Sequence, residues 1–299
     1  MPEVSEIERP LADFKPQHGF FVGIDSDGCA FDSMEIKHKE CFAPNFIKHF
    51  GLQPVSKYAR ESWEFVNLYS KWRGINRWPA MIRALDATRD RAEVIQRKAS
   101  VPQLSEVRKF IESGLALSND GLKKYMATHD HAELRTALAW SEAVNASVED
   151  LVHGVPPFPL VRDSLEKIQG VADILVVSAT PGAALKREWA ENRIDPYVKI
   201  IAGQEMGTKE RHLTLAAKGK YASDKILMVG DAPGDLKAAR SIGALFYPIK
   251  PGFEDLSWQH FHAEAFDVFM SGKYAGDYEK KLIAEFEALL PELPPWKRK

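Results

Sequence analysis

Two aspartates spaced two residues apart, Asp25 and Asp27, follow directly on the apolar run Phe20-Phe21-Val22-Gly23-Ile24 and precede Gly28. The run is short, aromatic and β-branched, which reads as a buried parallel strand with the two acids at its carboxyl end. Ligands of open α/β sheets bind at that end. Side chains alternate along an extended chain, so residues two apart can serve one site, and Gly28 permits a sharp turn behind them. Two converging carboxylates repel each other unless a cation neutralises them, and a hard divalent ion with oxygen ligands, Mg²⁺, meets that demand. A calcium turn or a plain surface loop would use the same residue types, so the pair needs support from elsewhere in the chain.

Three further segments supply it. Asp173-Ile174-Leu175-Val176-Val177 is a second apolar strand, ending in Ser178-Ala179-Thr180-Pro181-Gly182 and followed by a helical pattern through Trp189. Asp224-Lys225-Ile226-Leu227-Met228-Val229-Gly230 is another, and it delivers Asp231 and Asp235. Between them lies the Gly-punctuated loop Gly203-Gln204-Glu205-Met206-Gly207-Thr208, which leads into Lys209. An acid pair, a strand-end hydroxyl, a loop lysine and a second acid pair, in that order, resemble the four motifs of the haloacid dehalogenase-like hydrolase superfamily.

The resemblance implies an α/β fold, a Rossmann-like parallel-sheet core carrying an inserted all-helical cap domain. It also implies roles: Asp25 as nucleophile, Asp27 as general acid and base, Ser178 and Lys209 as the phosphoryl-binding pair, and Asp231 with Asp235 as the acidic metal corner. Mg²⁺ is then held by the Asp25 carboxylate, the Asp27 main-chain carbonyl and the Asp231 carboxylate. The chemistry asks for the same residue types independently. A carboxylate can attack phosphorus and divide a hard hydrolysis into two displacements, a neighbouring acid can protonate the departing oxygen, and a lysine and a hydroxyl can stabilise the phosphoryl oxygens.

Each assignment has a competitor. Thr180 is an alternative hydroxyl, although Ser178 follows the apolar run immediately. Lys199 and Lys218 compete with Lys209, but their surroundings read as a strand edge and a solvated helix face. Asp235 stands equally as a metal ligand or as a first-turn helix acid favoured by the macrodipole. Cys29 occupies a turn position where the family more usually has threonine; it is either a small residue filling a small space or a thiol reactive enough to tie activity to oxidants.

The chain has 299 residues, enough to bury a large core without disulfides. Forty basic residues against 42 acidic ones leave a formal charge of −2, which gives no field directed at nucleic acid or an anionic membrane. Cys29 and Cys41 form no metal-ligand spacing, and no run of about 18 apolar residues is present, so the expectation is a soluble, cytoplasmic protein. Residues 1–17 read as an irregular arm, residues 18–33 and 155–299 as the core, and residues 34–154 as the cap. The proline-rich end, Pro291 to Lys299, reads as a solvated tail with a basic tip.

Within the cap interval the apolar period is helical over residues 36–50, 61–71, 79–98, 102–113 and 120–145, with a break near 129–131. By the resemblance such a cap closes over the site and excludes water. The segment Leu68-Tyr69-Ser70-Lys71-Trp72-Arg73-Gly74-Ile75-Asn76-Arg77-Trp78-Pro79 reads as a loop between helices. Arg73, Asn76 and Arg77, together with Lys71, are candidates to grip an anionic or polyhydroxylated substrate, with Trp72 or Trp78 stacking on a ring. The competing reading has the tryptophans pinning the loop and the cations solvated. Lys37 and His38 are further candidates for the same role, while the spaced pairs His129, His131 and His260, His262 read as structural. Trp258, Phe261, Phe266 and Phe269 either close the core or form an interface, Ala265 to Phe269 suggests a short edge strand, and Tyr278 to Leu290 a closing helix.

The leading expectation is a Mg²⁺-dependent phosphatase acting on a small phosphorylated metabolite, with no nucleic-acid or membrane partner. A phosphomutase would use the same aspartyl-phosphate, and a non-catalytic phosphometabolite-binding protein would retain the pocket without turnover. A dehalogenase needs neither the metal nor the second acid, so Asp27, Asp231 and Asp235 speak against it.

Overall fold

The computed structural model describes residues 4–297 and divides into two compact units. One comprises Met1–Ser33 with Gly154–Leu289, the other Met34–His153 with Leu290–Lys299. The chain therefore passes between the units three times.

The first unit is α/β. Its sheet has five strands, β1 (Phe21–Ile24), β2 (Asp173–Val177), β3 (Ile200–Ala202), β4 (Ile226–Gly230) and β5 (Leu245–Pro248), in the order β3-β2-β1-β4-β5. Every pairing is parallel. All residues of β1, β2, β4 and β5 are buried, which explains why these strands read as continuous apolar runs instead of alternating ones. Ile24 pairs with Val176 on one side and Val229 on the other, so the carboxyl ends of the three central strands lie level. The residues that follow them must emerge along one edge.

One face of the sheet carries Val22, Ile24, Ile174, Val176, Leu227 and Val229 into a cluster with Trp189, Trp258, Phe261, Phe266 and Phe269. Those last four aromatics are fully or almost fully buried and close the core. The expected edge strand at Ala265 to Phe269 is a helix instead: a π-helical turn, Phe261–Ala265, runs into an α-helix, Phe266–Met270. Read over a longer window, the buried positions Trp258, Phe261, Ala265 and Phe269 recur at spacings of three and four, a helical face.

The second unit is helical. Its longer helices are Ser56–Leu68, Arg77–Arg89, Ser105–Glu112, Asn119–Met126 and Ala132–Leu151. They close around Trp63, Trp78 and Trp140, with Trp140 centred 5.8 Å from Trp63 and 6.0 Å from Trp78. The end of the chain, assigned to the core from sequence, packs on this unit. Trp296 lies against Phe65 at 5.7 Å and under the Arg91 guanidinium at 4.1 Å. Glu292 pairs with Lys71 at 2.7 Å and Lys297 with Asp90 at 2.8 Å. The tail is thus anchored by an aromatic residue that composition alone marks as polar and proline-broken; Arg298 and Lys299 of its expected basic tip lie outside the described residues. Among the described residues, no helix is long and apolar enough to cross a membrane.

Candidate active site

The turn after β1 is built around Ser26. Its carbonyl accepts hydrogen bonds from the main-chain N–H groups of Ala30 and Phe31 at 2.9 and 3.0 Å, and Gly28 donates to the Phe31 carbonyl at 2.8 Å. Gly28 has φ +74°, a left-handed conformation that a side chain would strain, so the glycine is required for this reversal. The Ser26 hydroxyl accepts from Trp189 Nε1 at 2.9 Å and donates to Glu188 at 3.1 Å, which fastens the turn to the helix following β2. Asp25 is held by the next residue: Ser26 N–H donates to Oδ1 at 2.7 Å.

Lys209 reaches the other Asp25 oxygen. Its Nζ donates to Asp25 Oδ2 at 2.7 Å and to Asp235 Oδ1 at 2.6 Å. It opens the helix Lys209–Ala216, whose N-cap Thr208 accepts from Arg211 N–H, so the helix start aims the lysine. Lys199 begins the β3 edge at the other end of the sheet, bonding through its N–H to the Ile174 carbonyl, and Lys218 belongs to the turn with Tyr221. Asp235 takes the first-turn position of a helix and also meets the lysine. Its Oδ2 accepts from Ala232 N–H at 3.1 Å as a first-turn acid of the helix Pro233–Ser241, while Oδ1 takes the lysine. Gly230 makes room for it, since a Cβ there would sit 2.4 Å from the Asp235 carboxyl carbon.

Asp25, Asp231 and Asp235 bring one carboxylate oxygen each within 4.8 Å of the others, and all three are buried. Lys209 bridges two of the three, Asp25 and Asp235. Burial, together with the Asp235 charge, raises Asp25 to about 6 despite the lysine, and burial also raises Asp235. Burial alone would pull Lys209 down, but the Asp235 and Asp25 carboxylates reverse this and hold it charged. The surplus negative charge and all-oxygen donor set suit a hard divalent cation such as Mg²⁺.

Ser178 stands just past β2, almost fully buried, with its N–H on the Ala202 carbonyl at 3.0 Å and its hydroxyl accepting from Thr180 N–H at 3.2 Å. The Asp27 carboxyl is outside the acid cluster. Thr180 Oγ1 donates to its Oδ2 at 2.5 Å and the Ser33 hydroxyl donates to its Oδ1. Thr180, weighed from sequence as a substitute for Ser178, has this separate position; Ser33 carries no motif signal and emerges only from the folded turn. Cys29 is fully buried with Sγ 3.6 Å from the Val229 carbonyl, and burial pushes its thiol well up, so it fills space and is no reactive thiol.

The loop residues of the helical unit make local contacts. Arg73 is 3% exposed and donates to the Leu68 carbonyl at 3.0 Å. Asn76 caps the helix Arg77–Arg89 by accepting from Trp78 N–H at 3.0 Å and donates to the Leu117 carbonyl at 2.8 Å. Arg77 donates to Ser141 Oγ at 2.8 Å and Asn145 Oδ1 at 2.7 Å, with its guanidinium over the Phe42 ring. All three, expected as substrate contacts, make hydrogen bonds within the helical unit. His129 stacks on Tyr125 and His131 caps the helix Ala132–Leu151, in keeping with structural histidines.

No family model and no curated protein sequence matches the chain. Solved structures do. A haloacid dehalogenase-like family hydrolase from Streptococcus pneumoniae is 13% identical, with TM-score 0.47 over 80% of this chain and 90% of that one. A HAD-superfamily hydrolase of subfamily IA from Geobacter sulfurreducens is 15% identical, with TM-score 0.40 over 79% and 89%. A predicted phosphoglycolate phosphatase from Haemophilus somnus is 18% identical, with TM-score 0.45 over 78% and 86%.

Proposed function

We propose that the chain is a Mg²⁺-dependent phosphatase that hydrolyses a small phosphorylated metabolite through an aspartyl-phosphate. The observation that carries this reading is the buried Asp25 carboxylate, shared between Lys209 and an acid cluster with surplus negative charge. Asp25, Asp231 and Asp235, with the Asp27 main-chain carbonyl, would hold Mg²⁺. When bound, the ion polarises the phosphoryl oxygens and offsets the repulsion between nucleophile and phosphate.

An Asp25 oxygen attacks phosphorus, forming one O–P bond as the ester P–O bond breaks, and Asp27 gives its proton to the departing oxygen. Water then attacks the same phosphorus, Asp27 takes its proton back, and the Asp25–phosphorus bond breaks to release inorganic phosphate. Lys209 and the Ser178 hydroxyl stabilise the charge gathered on the remaining phosphoryl oxygens. The helical unit, residues 34–153, is assigned the part of the cap domain.

The test is phosphate release from a panel of sugar phosphates, nucleotides and p-nitrophenyl phosphate, with Mg²⁺ and with chelator, for wild type and Asp25→Asn. Metal-dependent release that disappears in Asp25→Asn is the expected result. Asp25→Asn activity comparable to wild type would overturn the mechanism.

A further inference from the structure

The Asp27 carboxyl is gripped at both oxygens by hydroxyl groups from different parts of the chain. Ser33 supplies one as the first residue of the helix Ser33–Ile36, and Thr180 supplies the other from the loop after β2. A hydroxyl bonds each oxygen, so rotation about the carboxyl's own bond breaks both contacts, and the pair acts on the plane of the group as well as its place.

The two hydroxyls are themselves held. Ser33 is fully buried. Thr180 is anchored through its main chain on both sides: its N–H donates to the Ser178 hydroxyl at 3.2 Å and its carbonyl accepts from Gln204 N–H at 3.0 Å. That second contact depends on Gly203, where a Cβ would lie 2.9 Å from the Thr180 carbonyl oxygen. The loop bearing Lys209 and the loop bearing Thr180 are therefore in backbone contact. The residue type also suits the task. A hydroxyl has one proton to donate and two lone pairs, so it can turn to donate to a carboxylate or to accept from a carboxylic acid. A side chain that must hold a group both before and after it passes a proton needs that reversibility.

We propose that Thr180 and Ser33 are positioning residues for Asp27, orienting its carboxyl to protonate the departing oxygen and to deprotonate the attacking water. This rests on the phosphatase reading above and adds to it two residues outside the motif positions. It also gives Thr180 work distinct from binding the phosphoryl group.

The experiment compares kcat/KM on two esters, p-nitrophenyl phosphate and β-glycerophosphate, for wild type, Thr180→Val, Thr180→Ser and Ser33→Ala. kcat/KM reports steps up to formation of the phosphoenzyme, and a nitrophenolate departs with little help from an acid whereas an alkoxide needs it. Thr180→Val and Ser33→Ala are each expected to lose about tenfold to a hundredfold more on β-glycerophosphate than on the aryl ester. Thr180→Ser is expected to bring the two losses back toward equality. Equal losses on both esters in Thr180→Val would mark Thr180 as a phosphoryl-binding hydroxyl and overturn the proposal, as would no loss in either variant. Should Thr180→Val fail to fold, Ser33→Ala reads the same ratio from the other oxygen. A wild-type protein that releases phosphate from neither ester, nor from any member of the wider panel, would overturn the phosphatase reading as well, so the two failures are distinguishable.

Discussion

Replacing Lys209 with methionine keeps a similar side-chain volume and removes the one ammonium that bridges Asp25 and Asp235. At 2.7 and 2.6 Å each contact represents about 6 kcal/mol of gross attraction at an effective dielectric of about 20. Desolvation of the buried charges offsets most of that, and removing one partner of such a pair typically costs about 3–5 kcal/mol. The variant keeps three carboxylates with oxygens within 4.8 Å of each other and lacks the ammonium that bridged Asp25 and Asp235. We therefore expect Lys209→Met to lose about 3 kcal/mol of stability in metal-free buffer, measured by urea unfolding, and about a hundredfold or more in kcat. The sign of a second change makes the test sharper. Asp235→Asn should destabilise the wild type, because it takes away a lysine partner, yet stabilise Lys209→Met, because it takes away a repelling charge. The coupling between the two sites should reach about 2–3 kcal/mol. A Lys209→Met protein within about 1 kcal/mol of wild type, with Asp235→Asn equally harmful in both backgrounds, would refute the charge-balance reasoning.

Two further outcomes follow from parts of the fold outside the acid cluster. Trp296→Ala should cost about 2 kcal/mol, less than for a fully buried tryptophan because this one is partly exposed; hydrogen exchange should speed up in the helices Ser56–Leu68 and Arg77–Arg89 while the β-strands are unchanged. Glu8, hydrogen-bonded to Arg211 at 2.6 Å, is lowered by that contact from 4.5 to about 2. A depressed acid stabilises the fold above its unfolded pKa and loses that contribution as pH falls through its folded pKa. Glu8→Gln should thus cost about 1 kcal/mol near neutrality, the modest value reflecting solvent screening. The gap to wild type should narrow between pH 4.5 and 2 in denaturation titrations, and a gap constant over that window would exclude the ion pair as its source.

The strands were legible because each is buried on both faces, so its residues form an unbroken apolar run that no solvent-facing requirement interrupts. The acids, the lysine and Ser178 were legible for a related reason: each follows such a run or punctuates a glycine loop, and parallel strands in register must release their following residues along one edge. Ser33 was not, since its contact with Asp27 exists only after Gly28 has reversed the chain. The segment around Phe266 misled because five residues of Ala-Phe-Asp-Val-Phe alternate well enough for a strand, and only the spacing back to Trp258 reveals the helix. The tail misled by composition. Prolines and charges suggested solvent, while Trp296 alone decided where it packs.

The cations teach the same lesson from two sides. Lys209 and the pair Arg73, Arg77 are positive side chains beside glycine-containing loops, and sequence offered each the same task. What separates them is the chemistry opposite. Lys209 faces two carboxylates, whose charge it only partly cancels. Arg77 bonds a hydroxyl and an amide oxygen, neutral acceptors that consume donors and set loop geometry. Burial of a cation against neutral oxygens is a packing solution, and burial of several anions around one cation is a standing demand for more charge. That asymmetry is the physical ground on which the proposed phosphatase rests its chemistry on the strand-end acids and Lys209.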